Sequence, residues 1–323
     1  MDQGIEYPRT PDGRPSRFLR FLDYIFLLRP LILIPVWTFF LLGAWHSDPG
    51  LSVVVPTLKF FSGIMAFTLL IGAVYIINQI FDRVSDLNNN KLFFLPKSII
   101  PVKTASIEAA LLTASAFTIS IYYLPGRFSL IMLFSLVLGI LYSVEPVRLK
   151  KRAVFDVLAN ALGNGILNTL AGWVLVRGEI SGSMILLPYP FAVASVHLLT
   201  TLADIEGDRK NSLHTSGVTL GPAKGVFISA VLMAAAAAIA WATGNRPALF
   251  ACLLSLPAFI FPLQPGASRF SDRRILVPAK ISTLIFSIIA GFLFRLYIPF
   301  LFIVIVGTKL YYKRRFRMDY PSL

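Results

Sequence analysis

Apolar residues run through this chain in long unbroken blocks, not in alternation with polar ones. Ten blocks of helix length are parted by short polar stretches: 21–45, 58–80, 104–123, 127–143, 153–176, 184–203, 223–243, 247–263, 277–293 and 296–312. Continuous runs of this length predict helices, because a half-buried strand would alternate. About 20 apolar residues, each rising about 1.5 Å, cross the roughly 30 Å of hydrocarbon in a bilayer. Lipid offers the backbone no hydrogen bonds, so a spanning segment must be a helix or part of a closed barrel. The pattern therefore predicts an all-α fold: a polytopic transmembrane helical bundle of nine to ten segments. Residues 277–312 exceed one ordinary span and are interrupted by Arg295 and Pro299, so two short helices are expected there.

Composition agrees with the pattern. Of 323 residues, 56% are hydrophobic and 14% are charged, against roughly 25% charged in a soluble domain. Residues 1–20 are polar, with Arg9, Arg14, Arg17 and Arg20. The apolar block after them is too long for a signal-peptide core and lacks a small-residue cleavage site, so an uncleaved first helix is expected. No linker divides the chain. The expected organisation is a segment 1–20, one transmembrane domain 21–312 and a basic tail 313–323.

The net charge of +14 does not mark a nucleic-acid binder, because the cations fall in alternate loops. One side carries Arg83, Lys91, Lys97 and Lys103, then Arg148, Lys150, Lys151 and Arg152. Further along it carries Arg209, Lys210 and Lys224, then Arg269, Arg273, Arg274 and Lys280, and finally Lys309, Lys313, Arg314, Arg315 and Arg317. The opposite side keeps Lys59, Arg127, Arg177, Arg246 and Arg295 of the 30 Lys and Arg. This is the positive-inside pattern. It places both ends and the basic loops in the cytoplasm of a bacterial or archaeal inner membrane. Cys252 is alone and His46, His197 and His214 lie on different segments, so neither a disulfide nor a zinc site is indicated.

Asp and Glu number only 16, which gives their positions weight. After the second block, Asn78, Asp82 and Asp86 stand four residues apart and share one helix face. After the sixth, Asp204 and Asp208 repeat the spacing on the same predicted side. Like charges at this spacing repel. A hard divalent cation relieves the repulsion, and Mg²⁺ takes one or two carboxylates together with substrate phosphates. Two facing pairs would hold Mg²⁺ against a diphosphate, with Mn²⁺ an alternative ion.

These residues carry a specific resemblance. Asn78-x-x-x-Asp82-x-x-x-Asp86 and Asp204-x-x-x-Asp208 are similar to the two signatures of the UbiA superfamily of intramembrane prenyltransferases. Between them, Tyr142-Ser143-Val144-Glu145-Pro146-Val147-Arg148-Leu149-Lys150 resembles the family's Tyr-Ser-x-Pro-Pro-x-Arg-Leu-Lys loop. The resemblance implies Mg²⁺-dependent transfer of a prenyl chain from its diphosphate to a lipophilic acceptor, within a bundle open to membrane lipid. Asp82, Asp86, Asp204 and Asp208 would hold metal, and Asn78 would support it. Arg148, Lys150, Arg209 and Lys210 would meet diphosphate oxygens, Arg as a fork and Lys as a point charge. Tyr142 would face the allylic cation.

The chain also departs from the family. Gln79 stands where Asp is common, and Phe93 where an Arg is expected, with Lys91 and Lys97 nearby. Thr200 and Thr201 replace a frequent Lys-Asp, and Glu145 replaces a Pro. The departures bear on the acceptor more than on the reaction. Two alternatives stand beside prenyl transfer. One is phosphoribosyl transfer to a polyprenyl phosphate, performed by some superfamily members. The other is cation-coupled transport, whose acids usually sit at the bilayer midplane on broken helices.

Overall fold

Pro30 decides how the chain enters the membrane. The residue before a proline is disfavoured in the right-handed helical region, and Arg29 adopts a left-handed backbone (φ 59°). The block expected as one segment at 21–45 is therefore two helices, α1 (Arg17–Leu27) and α2 (Pro30–Ser47). Ser16 caps α1 by accepting from Leu19 N at 3.2 Å. Phe18, Phe21 and Ile25 are exposed along α1, beside Arg17 and Arg20, as in a helix lying in a membrane interface.

The structure is a computed structural model and describes residues 16–52, 57–88, 94–210, 213–260 and 272–321. After α2 come α3 (Leu58–Asn88), α4 (Val102–Tyr123) and α5 (Gly126–Ser143). A loop with a 3₁₀ turn at Leu149–Lys151 leads to α6 (Phe155–Asn160), a π-helical stretch (Ala161–Leu167) and α7 (Asn168–Arg177). The chain continues through α8 (Pro188–Ala203), the short α9 (Ile205–Lys210), α10 (Ser216–Thr243), α11 (Arg246–Ile260), α12 (Asp272–Leu293) and α13 (Tyr297–Phe316).

Among the described residues, seven helices are long and apolar enough to cross a membrane. The other expected blocks are helical too within the described residues. Residues 153–176 are divided by the π stretch, α11 has 15 residues, and α13 ends in Lys313, Arg314 and Arg315. The block expected at 223–243 begins earlier, at Ser216. Its helix kinks at Gly221 (φ 71°), a backbone that glycine adopts without strain. The break near 295 is present, but it falls at Phe294–Leu296 and leaves Pro299 inside the first turn of α13, where it removes no helical bond. Residues 313–316 continue α13 instead of beginning a tail.

Helices meet closely where side chains are small. A Cβ on Gly43 would strike the carbonyl of Thr169, and one on Gly172 the carbonyl of Phe40. The α2–α7 contact is thus backbone against backbone, the packing that small residues permit in lipid. One large core joins α2, α3, α5, α7, α8, α10, α11 and α12, while a second lies between α1, α3, α4 and α13. That second core holds a buried ion pair. Asp23 accepts from Arg315 Nε (3.0 Å) and Nη2 (3.1 Å) and from Tyr311 Oη (2.6 Å), tying the first helix to the last.

Candidate active site

The carboxylates collect at one end of the bundle. Asp82 and Asp86 come from the last turns of α3, and Asp204 and Asp208 from the α8–α9 junction. All four line one cavity of about 490 Å³ with Tyr142, Arg148 and Lys150. The two walls are held by α6 and α10. Asp156 Oδ2 accepts from Ser216 N at 2.8 Å, its Oδ1 accepts from Ser216 Oγ, and Ser216 Oγ also accepts from Val154 N at 2.7 Å. Arg152 and His214 form a lone bridge between the two loops.

Asp82 is the electrostatic centre. Its Oδ1 accepts from Arg148 Nη2 at 3.0 Å and from Lys150 Nζ. The side chains of the three residues are only 14–17% exposed, so solvent screens them little. Asn78 completes the group. With its amide oriented to satisfy both ends, Oδ1 accepts from Ser143 Oγ and Lys150 Nζ (both 3.0 Å) and Nδ2 donates to Asp82 Oδ2 at 3.2 Å. Burial holds the Lys150 ammonium below its ordinary value, and Asp82 opposes that shift. Arg148 also donates to Glu145 at 2.8 Å, and Lys151 meets the same carboxylate at 3.0 Å. The Arg148 and Lys151 bonds hold the Glu145 carboxyl below its ordinary value. Glu145, unusual at its position, thus positions two cations.

Arg148 Nε is buried without a hydrogen-bond partner among the described residues. Its backbone is left-handed (φ 38°, ψ 62°), and Val154 also has a positive φ (φ 71°, ψ −47°). A β-branched residue there is an outlier, and such strain gathers at functional sites.

Two expected residues are not brought in. Arg209 and Lys210 are exposed and do not line the cavity. On a helix each residue turns about 100°, so with Asp204 and Asp208 facing inward the next two face away. Gln79 is buried and turned from the acids, donating to the carbonyls of Leu27 (2.8 Å) and Tyr75 (3.0 Å). Lys91 and Phe93 lie outside the described residues.

Other residues were not singled out by spacing. Asp156, His197 and Thr200 line the rim cavity. Beneath it lie a second cavity of about 500 Å³, lined in part by Arg29, Asn160, Asn164 and Asn168, and a third of about 280 Å³. His197 and Thr200 line all three. Asn160, Asn164 and Asn168 carried a signal in the sequence, since polar side chains four apart inside an apolar segment mark a functional face.

Among the described residues no three His, Cys, Asp or Glu side chains form a metal cluster by themselves. The donor set nevertheless fits a hard cation. It is all oxygen, it comes in pairs, and Mg²⁺ draws the rest of its shell from water and phosphate.

A model of the UbiA prenyltransferase family matches residues 32–274, which takes in both acidic segments and the loop between them. The chain belongs to this family. A probable chloroplastic homogentisate phytyltransferase 2 of Oryza sativa subsp. japonica is 28% identical over 188 residues, 55% of this chain and 49% of that protein. The C(50) beta-cyclic carotenoids biosynthesis protein LbtBC of Dietzia sp. (strain CQ4) is 26% identical over 219 residues, 64% and 50% of the two chains. The chain spans about half the length of these curated relatives. A UbiA homolog from Archaeoglobus fulgidus, solved bound to DMAPP and Mg²⁺, shares the fold with a TM-score of 0.65 at 22% identity. The match covers 84% of this chain and 99% of that one.

Proposed function

We propose that this UbiA-family protein transfers a prenyl group from a prenyl diphosphate to a lipophilic acceptor, aromatic or lipid, and releases diphosphate. One observation carries the reading: four aspartates from two distant segments line a single cavity with Arg148 and Lys150, above apolar chambers. Asp82, Asp86, Asp204 and Asp208 would hold Mg²⁺. Bound there, the ion supplies Lewis-acid neutralisation of the diphosphate.

The chain's own groups bind and orient the donor. Arg148 offers a planar fork, including its unpartnered Nε, to phosphate oxygens. Lys150 adds a second charge, positioned by Asn78. Tyr142 lines both the rim and the chamber below, and its ring face is suited to an electron-poor allylic carbon. The bond between C1 and oxygen breaks, and its electron pair leaves on the diphosphate. An acceptor carbon or oxygen forms the new bond to C1 and gives up one proton, which ends on the diphosphate. The basic loops support a cytoplasmic rim by the positive-inside rule, and the proposed setting is a bacterial or archaeal inner membrane.

The test is incubation of purified protein with labelled prenyl diphosphates and a membrane lipid extract, following the label by mass. Transfer is expected with Mg²⁺ and is expected to stop with excess EDTA. Full turnover in EDTA, unchanged by added metal, refutes the metal-dependent mechanism.

A further inference from the structure

The first and last helices gather cations at one corner of the bundle. Asp23 of α1 accepts from Arg315 of α13, from Nε at 3.0 Å and Nη2 at 3.1 Å. The Phe26 and Tyr311 rings stack beside this pair, their centroids 3.7 Å apart. Arg20 stands one helical turn before Asp23, and Lys313, Arg314 and Arg317 stand within two residues of Arg315. After Arg317 the chain folds back along α13, so that Asp319 meets Lys309 at 3.1 Å and Tyr320 packs on Tyr312. Arg17, Arg20, Lys313, Arg314 and Arg317 are all exposed. Asp23 is taken by Arg315 and Asp319 by Lys309, which leaves these five cations without a carboxylate partner among the described residues.

Along α1 the outward side chains separate by character. At about 100° per residue, its outer arc runs from Arg20 and Arg17 on one edge, through Phe21, to Ile25 and Phe18 on the other. All three apolar side chains are exposed, while Asp23, Phe26 and Leu27 are buried. The 11 residues of α1 rise about 16 Å, half the thickness of the hydrocarbon they would have to cross. The break at Arg29 and Pro30 sets the helix apart from α2. A short helix with this division lies in the interface, its apolar edge among acyl chains and its cations at the level of the headgroups.

We propose that the corner between α1 and α13 binds the phosphodiester headgroup of an anionic phospholipid, independently of the reaction at the acidic rim. Arg17 and Arg20 approach the headgroup from one helix, Arg314 and Arg317 from the other, and Arg meets phosphate oxygens as a fork. Phe18, Phe21 and Ile25 lie against the acyl chains of the same lipid. A zwitterionic headgroup brings its own cation, which five positive charges repel. A free phosphate would satisfy the cations but leave the apolar edge of α1 without a partner, so the ligand is the lipid. Each cation near an anionic surface strengthens attachment by about fivefold.

The experiment titrates the full chain in detergent with phosphatidylglycerol or phosphatidylcholine and measures bound lipid by native mass spectrometry. Phosphatidylglycerol is expected to bind about tenfold more tightly or better, and soluble glycerol phosphate at the same concentration is expected not to displace it. Arg17→Gln with Arg20→Gln should weaken phosphatidylglycerol binding by about tenfold or more, and so should Arg314→Gln with Arg317→Gln on the other helix. Melting in detergent checks folding. Should either pair fail to fold, the single changes Arg20→Gln and Arg314→Gln should each show a loss of about fivefold. Lys224→Gln with Arg274→Gln removes as much charge from exposed positions outside the corner and should change binding by less than about threefold. Equal affinity for the two lipids, unchanged binding in the folded corner variants, or an equal loss in the control pair overturns the site. Displacement by glycerol phosphate overturns the lipid as its ligand.

Discussion

Asp82→Asn isolates the charge at the centre of the rim with almost no change in shape. In the structure Asp82 Oδ1 takes a charge-assisted bond from Arg148 (3.0 Å) and another from Lys150. Such bonds contribute about 1.5–3 kcal/mol each, but the variant keeps a carbonyl oxygen and the cations can turn to water at the rim. The expected net loss of stability is therefore about 1–3 kcal/mol. Catalysis should suffer more, because one of the four carboxylates proposed to hold metal is lost. Removing a preorganised stabiliser of developing charge typically costs about 2.7–4 kcal/mol, or about 10²–10³-fold in rate. The assay is label transfer at saturating donor over a Mg²⁺ titration, with melting in detergent as the control for folding. Turnover within about threefold of the parent protein, at an unchanged half-saturating Mg²⁺, would remove Asp82 from the metal site.

Three further variants separate binding from scaffold. Arg148→Lys keeps the charge but loses the fork and the free Nε, so donor KM should rise by about tenfold. Arg209→Ala, on the outward face of α9, should stay within about twofold, and equal effects in both would contradict the assigned orientation. Asp23→Asn leaves Arg315 buried beside a neutral partner and should destabilise the bundle by about 3–5 kcal/mol. That loss would be read as a lowered Tm in detergent, and an unchanged Tm would mean the pair is not buried in the folded protein.

The features legible in the sequence were those that depend on local spacing. Continuous apolar blocks announce the helices, and four-residue intervals announce Asp82 with Asp86 and Asp204 with Asp208. The concealed ones depend on the angle at which a helix meets its neighbours. Arg209 follows Asp208 directly, yet one step of a helix turns it out of the cavity. Gln79 adjoins Asn78, yet it faces the break between α1 and α2, so its departure from the family residue alters the wall and leaves the acidic rim intact. Asp23 and Arg315 stand 292 residues apart, and only packing of the first helix on the last brings them together. His197 looked isolated because its partners, Asn160 and the three cavities, belong to other segments. The asparagine interval was visible but lay within a block that read as a plain span.

Asp82 is paired with two cations before any ligand arrives, and this bears on how donor and metal would enter. Arg148 and Lys150 are held by Asp82, and an uncompensated charge in such a place is costly. A diphosphate arriving alone must draw both cations from Asp82 and leave its carboxylate exposed to the donor's negative charge. If Asp82 held a metal ion with no donor present, Arg148 and Lys150 would be left without its carboxylate. With donor and metal together, Arg148 and Lys150 would pass to phosphate oxygens and Asp82 would serve the metal, so that these three charges keep partners. Binding of the two should therefore be mutually strengthening, and linkage makes the factor the same in either order. A coupling of about 1–3 kcal/mol, or about 5–150-fold, is the usual range for such linked sites. Titration of an unreactive prenyl thiodiphosphate with and without Mg²⁺ measures it directly. The factor should fall in that range for the parent protein and shrink towards one in Asp82→Asn. Equal affinity in Mg²⁺ and in EDTA would show that Asp82 does not mediate the exchange.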